Sequence, residues 1–151
     1  MHITQTGGTP FEDGEDGGRI IVSGRDTAGR YSLMEYVVAA RAADLPGAEP
    51  CYGMHRHRDI EETFFVRSGS LRFVLGEDVI SLGPGDFVRV PAGVRHGFAN
   101  VSGERVDLLV GFVPGGFEEL FVRHRTDQSP QPRAEGFIED AMREFSSEFE
   151  A

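Results

Sequence analysis

Short runs of alternating apolar and polar residues follow one another along most of this chain, with turn-forming residues between them. Alternation with a period of two is typical of a β-strand with one buried face. The pattern predicts strands at 19–23, 31–40, 60–67, 70–76, 79–82, 86–90, 96–101 and 105–113. So many short, closely spaced strands favour a closed β-barrel or jelly roll, and the predicted fold class is all-β.

The two ends of the chain lack this alternation. Glycine and acidic residues dominate 7–18, and residues 127–133 are polar and contain prolines. Apolar residues then recur at helical spacing over 134–149, on a face formed by Ile138, Met142, Phe145 and Phe149. The predicted parts are a flexible lead-in at 1–18, a barrel at 19–126, and a linker with a C-terminal amphipathic helix at 127–151. We expect that helix either to pack on the outside of the barrel or to form a dimer contact.

Composition narrows the functional classes. The 151 residues are enough for one domain with a hydrophobic core, and no internal repeat is visible. A formal net charge of −10 at pH 7 argues against a nucleic-acid partner, because phosphates would be repelled. The sequence shows neither a signal peptide nor a membrane span, and its single cysteine, Cys51, excludes an internal disulfide. A cytoplasmic protein without a membrane partner is therefore expected.

Three of the five histidines lie in two segments with metal-ligand spacing. His55 and His57 are two residues apart, so an extended strand places both rings on one face. Glu62 lies five residues beyond His57, an odd number, so a regular strand would point its carboxylate away from the rings. If one ion binds all three side chains, the chain must turn or bulge between Arg58 and Glu61.

A third imidazole comes from the second segment. Tight turns at 83–86 and 91–93 enclose a short strand, and His96 follows them on the next strand. This ligand therefore enters from a different hairpin, as a site inside a small barrel requires. Asn100 is expected to anchor the local turn through side-chain hydrogen bonds. The predicted ligands of one divalent metal ion per chain are His55, His57, Glu62 and His96.

The ligand types limit the chemistry of this site. Nitrogen and oxygen ligands without thiolate suit Fe(II), Mn(II), Ni(II), Cu(II) and Zn(II), and Fe(II) is the leading expectation. Such an ion can bind the enolate or phenolate form of a substrate and lower its pKa. Glu62 is the one ligand able to leave the metal and act as a base, which makes it the candidate catalytic residue.

Aromatic residues are expected beside the metal ligands. Phe64 and Phe98 share the inward-facing parity of the neighbouring ligands, whereas nothing fixes the facing of Phe73 and Phe87. An aromatic wall favours an aromatic or hydrophobic substrate over a small sugar phosphate. Arginines could hold an anionic substrate group near the mouth of the barrel, although solvated surface charge explains them equally well. The candidate pocket residues are Phe64, Phe98, Phe73, Phe87 and Arg89, with Arg95 as a second arginine.

Both segments resemble the two motifs of the cupin superfamily. Residues 55–69 read His-x-His-x4-Glu-x6-Gly, and residues 85–100 read Gly-x5-Pro-x-Gly-x2-His-x3-Asn. The usual glycine six residues before the first histidine is Glu49 here, so the entry turn departs from the pattern. The resemblance covers residues 32–121. It implies a single cupin barrel, that is, a double-stranded β-helix or jelly roll, with a short C-terminal helical tail.

The stretch after the last predicted strand carries a second resemblance. Residues 113–121 are similar to the tail of small cupins of the quercetin dioxygenase type, where Pro-Gly-Gly-Phe-Glu ends the last strand and opens a helix. This resemblance implies a metal-dependent oxygenase acting on an aromatic or enolisable small molecule, and a homodimer. One alternative is a non-oxidative polyketide cyclase or isomerase that uses the metal as a Lewis acid. The second alternative is a non-catalytic small-molecule binder.

Overall fold

The computed structural model of the chain describes residues 7–13, 15–40, 54–100, 102–126 and 147–149. Within these residues the strands form two antiparallel sheets. The six-stranded sheet contains, in spatial order, β1 (Thr9–Asp13), β2 (Asp16–Val22), β3 (Ser32–Val38), β10 (Val106–Val113), β5 (Glu61–Ser68) and β8 (Phe87–Val90). The five-stranded sheet contains β11 (Ser147–Phe149), β4 (His55–His57), β9 (His96–Ala99), β6 (Leu71–Leu75) and β7 (Asp78–Leu82).

The predicted all-β fold is confirmed. All eight predicted strands are present, and their ends differ from the prediction by up to three residues. One helix, α1, spans Glu119–Thr126 and follows the Pro-Gly-Gly-Phe-Glu stretch, as the resemblance to small cupins implied. No helix in the described ranges is long and apolar enough to cross a membrane.

The interpretation of residues 1–18 as a flexible lead-in is wrong for the part that the structure describes. β1 and β2 form an antiparallel hairpin there, and Phe11 is buried against Tyr36 and Phe121, with ring centroids 5.9 Å and 5.0 Å apart. Gly18 is required by close packing, because a Cβ there would lie 2.0 Å from the carbonyl oxygen of Glu35. Glycine at this position therefore reflects the tight pairing of two strands and does not indicate a flexible segment.

The C-terminal prediction also needs correction. Residues 127–146, which contain the predicted linker and most of the predicted helix, lie outside the described residues. Residues 147–149 form β11, which pairs with β4 so that Phe149 is opposite His55 and Ser147 is opposite His57. Pairing with a strand distant in sequence overrides the local helical periodicity at these positions.

Inward-facing residues of the six-stranded sheet form transverse rows. The strand register places Ser32, Phe112, Glu62 and Val90 in one row, and all four are buried. The next row contains only apolar side chains, namely Met34, Val110, Phe64 and Val88. A single ionisable group, Glu62, therefore interrupts the otherwise apolar face of β5 at the row that faces β4.

Asn100 anchors the turn that follows β9, as predicted. Its side-chain amide nitrogen donates hydrogen bonds to the carbonyl oxygens of Ala39 and Glu104. Its oxygen accepts hydrogen bonds from the backbone nitrogen and the hydroxyl of Ser102, at 3.0 Å and 2.8 Å. These four bonds satisfy the buried amide and fix the connection between β9 and β10.

Two phenylalanines provide a test of the strand facing. Phe73 on β6 is 0% exposed and Phe87 on β8 is 61% exposed. We expect Phe73→Ala to lower the free energy of unfolding by about 3–5 kcal/mol, because it leaves a cavity in the core. Phe87→Ala should change it by no more than about 0.5 kcal/mol. Urea denaturation of both variants measures the difference, and equal losses would contradict the assigned facing.

Candidate metal centre

The structure brings together all four predicted ligands. All four side chains are buried, and one candidate donor atom from each lies within 4.8 Å of the others. Elsewhere in the described ranges, no second group of histidine, cysteine or acidic side chains meets this condition. The members of the cluster are His55, His57, Glu62 and His96.

The ligands come from both sheets. His55 and His57 occupy β4, and His96 lies on β9 directly opposite His55, so the five-stranded sheet supplies the imidazoles. Glu62 lies on β5 of the six-stranded sheet. Between β4 and β5 the chain bends at Arg58 and Asp59, which confirms the predicted interruption. Because the chain crosses from one sheet to the other at this bend, His57 and Glu62 reach the same point, although on a regular strand residues five apart would face opposite sides.

Glu62 is the centre of the hydrogen bonding in this cluster. Its Oε2 lies 3.0 Å from Nε2 of His57 and 2.9 Å from Nε2 of His96. Burial alone would raise the pKa of the Glu62 carboxyl, but the hydrogen bonds and charges of the two imidazoles outweigh it and lower the pKa to about 2. The carboxylate is therefore ionised throughout the physiological pH range.

The ring orientation of His96 suits metal binding. Its Nδ1 lies 3.0 Å from the carbonyl oxygen of Val94, to which the Nδ1–H donates, and Nε2 therefore faces Glu62. A second partner of this kind commonly fixes a metal-binding histidine. Burial lowers the pKa of His96, but hydrogen bonding to Glu62, its charge and the Val94 carbonyl outweigh burial and raise that pKa.

These residues fit a divalent metal ion. Three neutral imidazoles and one carboxylate form a donor set of nitrogen and oxygen with a charge of −1. The two Nε2 atoms converge on one carboxylate oxygen, and a metal ion would replace the protons that link them. Proton and metal would therefore compete for the same nitrogen atoms.

Predicted pocket residues Phe64, Phe73 and Phe98 all face the interior. Their ring centroids lie 5.0 Å (Phe64 to Phe73), 5.7 Å (Phe64 to Phe98) and 6.3 Å (Phe73 to Phe98) apart. Phe73 is also stacked on the ring of His96 at 6.5 Å. This aromatic cluster makes the surroundings of the ligands apolar, while its contact with a substrate stays a prediction.

The predictions for Phe87 and Arg89 are wrong. In β8, Val88 and Val90 face the interior, so the alternate residues Phe87 and Arg89 lie on the outer face of the sheet. Arg89 forms an exposed ion pair with Glu61, from its Nε to Oε1 at 2.8 Å. Arg89 is thus a surface charge and does not reach the ligands. Arg95, the second candidate, is half-buried and points toward the carbonyl oxygen of Gly76 at 3.5 Å.

Phe112 and Phe117 also border the site, although the sequence analysis did not include them. The ring of Phe117 lies 4.5 Å from that of His57, nearly perpendicular to it, and the ring of Phe112 lies 6.4 Å away. Phe112 lies on the inward-facing side of β10, and the alternation of residues along this strand could have predicted that position. The Phe117 contact depends on how the chain folds back after β10.

Removal of one histidine provides a direct test of the ligand set. We expect His57→Ala or His96→Ala to abolish stoichiometric metal while the far-ultraviolet circular dichroism spectrum keeps its β signature. Arg56→Ala is the matched control, because Arg56 lies between the two ligands of β4 with its side chain exposed. Mass spectrometry of the purified proteins measures the metal content per chain of the histidine variants and of the control. Wild-type metal content in either histidine variant would refute the assignment.

Metal affinity should also fall as the pH is lowered. Because the pKa of His96 is raised, protons compete for its ring at higher pH than for an ordinary imidazole, whose pKa is about 6.5. Competition titrations against a chromogenic chelator between about pH 6 and pH 9 measure this dependence. A constant affinity over that range would show that His96 does not bind the metal.

Comparison with known proteins supports the fold. Residues 43–112 match the family model of the cupin domain. KdgF from Halomonas sp. is 15% identical over 72% of this chain and 91% of that chain, with a TM-score of 0.58. A predicted oxalate decarboxylase from Thermotoga maritima is 15% identical over 76% and 99%, with a TM-score of 0.62. The polyketide cyclase RemF from Streptomyces resistomycificus is 24% identical over 75% and 78%, with a TM-score of 0.56.

Identities this low show the fold and do not show the reaction. No curated protein sequence matches the chain. The narrower resemblance to cupins of the quercetin dioxygenase type stays a prediction. The family model over residues 43–112, the two motifs and the solved structures nevertheless agree, and the chain has the fold of the cupin superfamily.

Proposed function

We propose that this chain is a metal-dependent oxygenase that acts on an aromatic or enolisable small molecule, with Fe(II) as the leading metal. The observation that carries the proposal is the buried, ionised carboxylate of Glu62 surrounded by three imidazoles inside an aromatic interior. An arrangement in which titratable groups are buried together is typical of functional sites. The predicted homodimer belongs to the same proposal.

The metal would be held by four ligands, namely His55, His57, Glu62 and His96. A divalent ion at such a site supplies Lewis acidity and, where it is redox-active, a place for reaction with O2. The chain itself contributes orientation, because Val94 fixes the ring of His96 and Glu62 links the two sheets. Glu62 is also the candidate proton acceptor, because it is the one ligand able to leave the metal and act as a base.

An apolar interior supports an aromatic or enolisable substrate. Phe64, Phe73 and Phe98 exclude water from one side of the ligands, and this lowers the local dielectric constant. A sugar phosphate would need a cation close to the metal. Of the two candidates for that role, Arg89 is directed to the outer face, and Arg95 is directed toward the carbonyl oxygen of Gly76. The surroundings of the ligands therefore favour an uncharged aromatic or enolic group.

Cupins of this fold carry different chemistries, and the solved structures named above include a polyketide cyclase and a predicted oxalate decarboxylase. A non-oxidative cyclase or isomerase would use the same four ligands, with the metal as a Lewis acid only. Oxygen consumption distinguishes these two classes, since only the oxygenase uses O2. A bound ligand without turnover would indicate the non-catalytic binder.

The test combines metal analysis with oxygen-electrode traces. Protein purified without chelator or affinity-tag nickel is analysed for metal and then supplied with flavonols, catechols and enolisable diketones in turn. Stoichiometric redox-active metal with O2 uptake on one of these compounds would support the oxygenase. Conversion of a compound under anaerobic conditions would overturn it in favour of the non-oxidative alternative.

Substitution of Glu62 tests its assigned role. We expect Glu62→Gln to retain part of the metal and to lower the turnover rate by about 100-fold or more, because glutamine cannot accept the proton. The matched control is Glu61→Gln, since Glu61 lies on the outer face in an ion pair with Arg89. Steady-state rates under metal-saturating conditions compare the two. An unchanged rate for Glu62→Gln would remove this residue from the mechanism.

A further inference from the structure

A second buried carboxylate lies outside the ligand set. Glu118 is 0% exposed and accepts hydrogen bonds from the backbone nitrogens of Gly24, at 2.6 Å, and Gly116, at 2.7 Å. Gly24 belongs to the turn between β2 and β3, whereas Gly116 lies between β10 and α1. Burial of a charged group is costly unless hydrogen bonds compensate for it, so these two donors fix the carboxylate firmly. We refer to Glu118 and its two backbone donors as the tail clamp.

Close packing around the tail clamp leaves little room for movement. A Cβ on Gly24 would lie 2.6 Å from the nitrogen of Gly116, and one on Gly115 would lie 2.5 Å from the carbonyl carbon of Tyr31. The backbone nitrogen of Gly115 also donates a hydrogen bond to the carbonyl oxygen of Gly29 at 3.0 Å. The segment after β10 is therefore locked onto the turn between β2 and β3.

Phe117 lies between the two clamped positions. Gly116 precedes it and Glu118 follows it, so the tail clamp fixes the backbone on both of its sides. Its ring is buried, contacts the ring of His57 at 4.5 Å and contacts Phe112 at 5.0 Å. His57 is thus held by Glu62 through Nε2 and by Phe117 through its ring.

We propose that Glu118 is a positioning residue for the metal site, which acts by holding Phe117 against the imidazole of His57. This inference rests on the proposed metal-dependent function. The orientation of a ligand ring determines how well its nitrogen meets the ion, and outer partners of metal ligands commonly change affinity by about 10–100-fold. The Pro-Gly-Gly-Phe-Glu stretch then has a role in the site, because its phenylalanine contacts a ligand and its glutamate fixes that phenylalanine.

Binding of Co(II) to three variants tests the proposal. Glu118→Gln turns an amide NH2 toward one of the two backbone donors and should break that bond, and Phe117→Leu removes the ring contact. We expect both to weaken Co(II) binding by about 10–100-fold and to change the visible absorption bands of the bound ion. Phe11→Leu is the matched control, because Phe11 is a buried aromatic residue whose ring packs on Tyr36 and Phe121. It should lower the unfolding temperature and leave Co(II) affinity unchanged.

Histidine nitrogen chemical shifts in the metal-free proteins provide a second measurement. Long-range 1H–15N spectra should show a change for His57 in Glu118→Gln and in Phe117→Leu, and no change in Phe11→Leu. Wild-type Co(II) affinity and an unchanged His57 signal in Glu118→Gln, together with lower stability, would overturn the proposal and leave a structural role only. If Glu118→Gln does not fold, the test uses Phe117→Leu. Wild-type Co(II) affinity and an unchanged His57 signal in that variant would overturn the proposal. Failure of the wild type to bind Co(II) or any other divalent ion overturns the proposed function, while the His57 signal still tests the positioning.

Discussion

The buried carboxylate of Glu62 is the group on which the arrangement of the site depends. An ionised carboxylate removed from water costs several kcal/mol unless charged or hydrogen-bonding partners replace the water. Here the partners are the Nε2 atoms of His57 and His96, which belong to the opposite sheet. The two sheets must therefore stay close at this row of the barrel. The next row, Met34, Val110, Phe64 and Val88, is filled with apolar side chains that keep water out.

Glu118 satisfies the same requirement in a different way. Its partners are backbone N–H groups of Gly24 and Gly116, which cannot lose their protons and cannot bind a metal ion. The imidazoles around Glu62 can do both. One buried carboxylate is therefore part of the rigid framework, and the other lies among partners whose protons a metal ion can replace, so chemistry is expected only at the second.

The ligand set and the fold class could be predicted from the sequence because they depend on local spacing. Two histidines separated by one residue share a face on any strand, and the parity of Glu62 required the bend that the chain makes at Arg58 and Asp59. The facing of Phe87 could not be predicted, because β8 contains apolar residues on both of its faces and no ligand fixes its register. Burial in the interior, which depends on the pairing of β8 with β5, decides in favour of Val88 and Val90.

Features that depend on distant contacts were missed for a related reason. β1 has a single buried apolar residue, Phe11, in an acidic stretch, and this is too weak a signal to indicate a strand. β11 exists because β4 offers an edge to pair with, and no pattern within residues 147–149 reveals that partner. The contact between Phe117 and His57 likewise depends on the docking of two distant segments. These segments are joined by the hydrogen bond between Gly24 and Glu118, which lie 94 positions apart.

The strand that carries two of the ligands has unequal backbone pairing on its two edges. β4 has three residues, and its register with β9 consists of the single pair His55 and His96. Its other edge pairs with β11 at all three residues. Toward β9 and the interior its position depends on side chains: the hydrogen bond of His57 to Glu62, the ring of Phe117, and the contact between the rings of His55 and His96 at 4.3 Å. The ligands therefore add to the backbone pairing that holds β4 in the barrel. An ion held by residues of both sheets would link them in place of these hydrogen bonds, so metal binding and the local stability of this strand are coupled through the same four side chains.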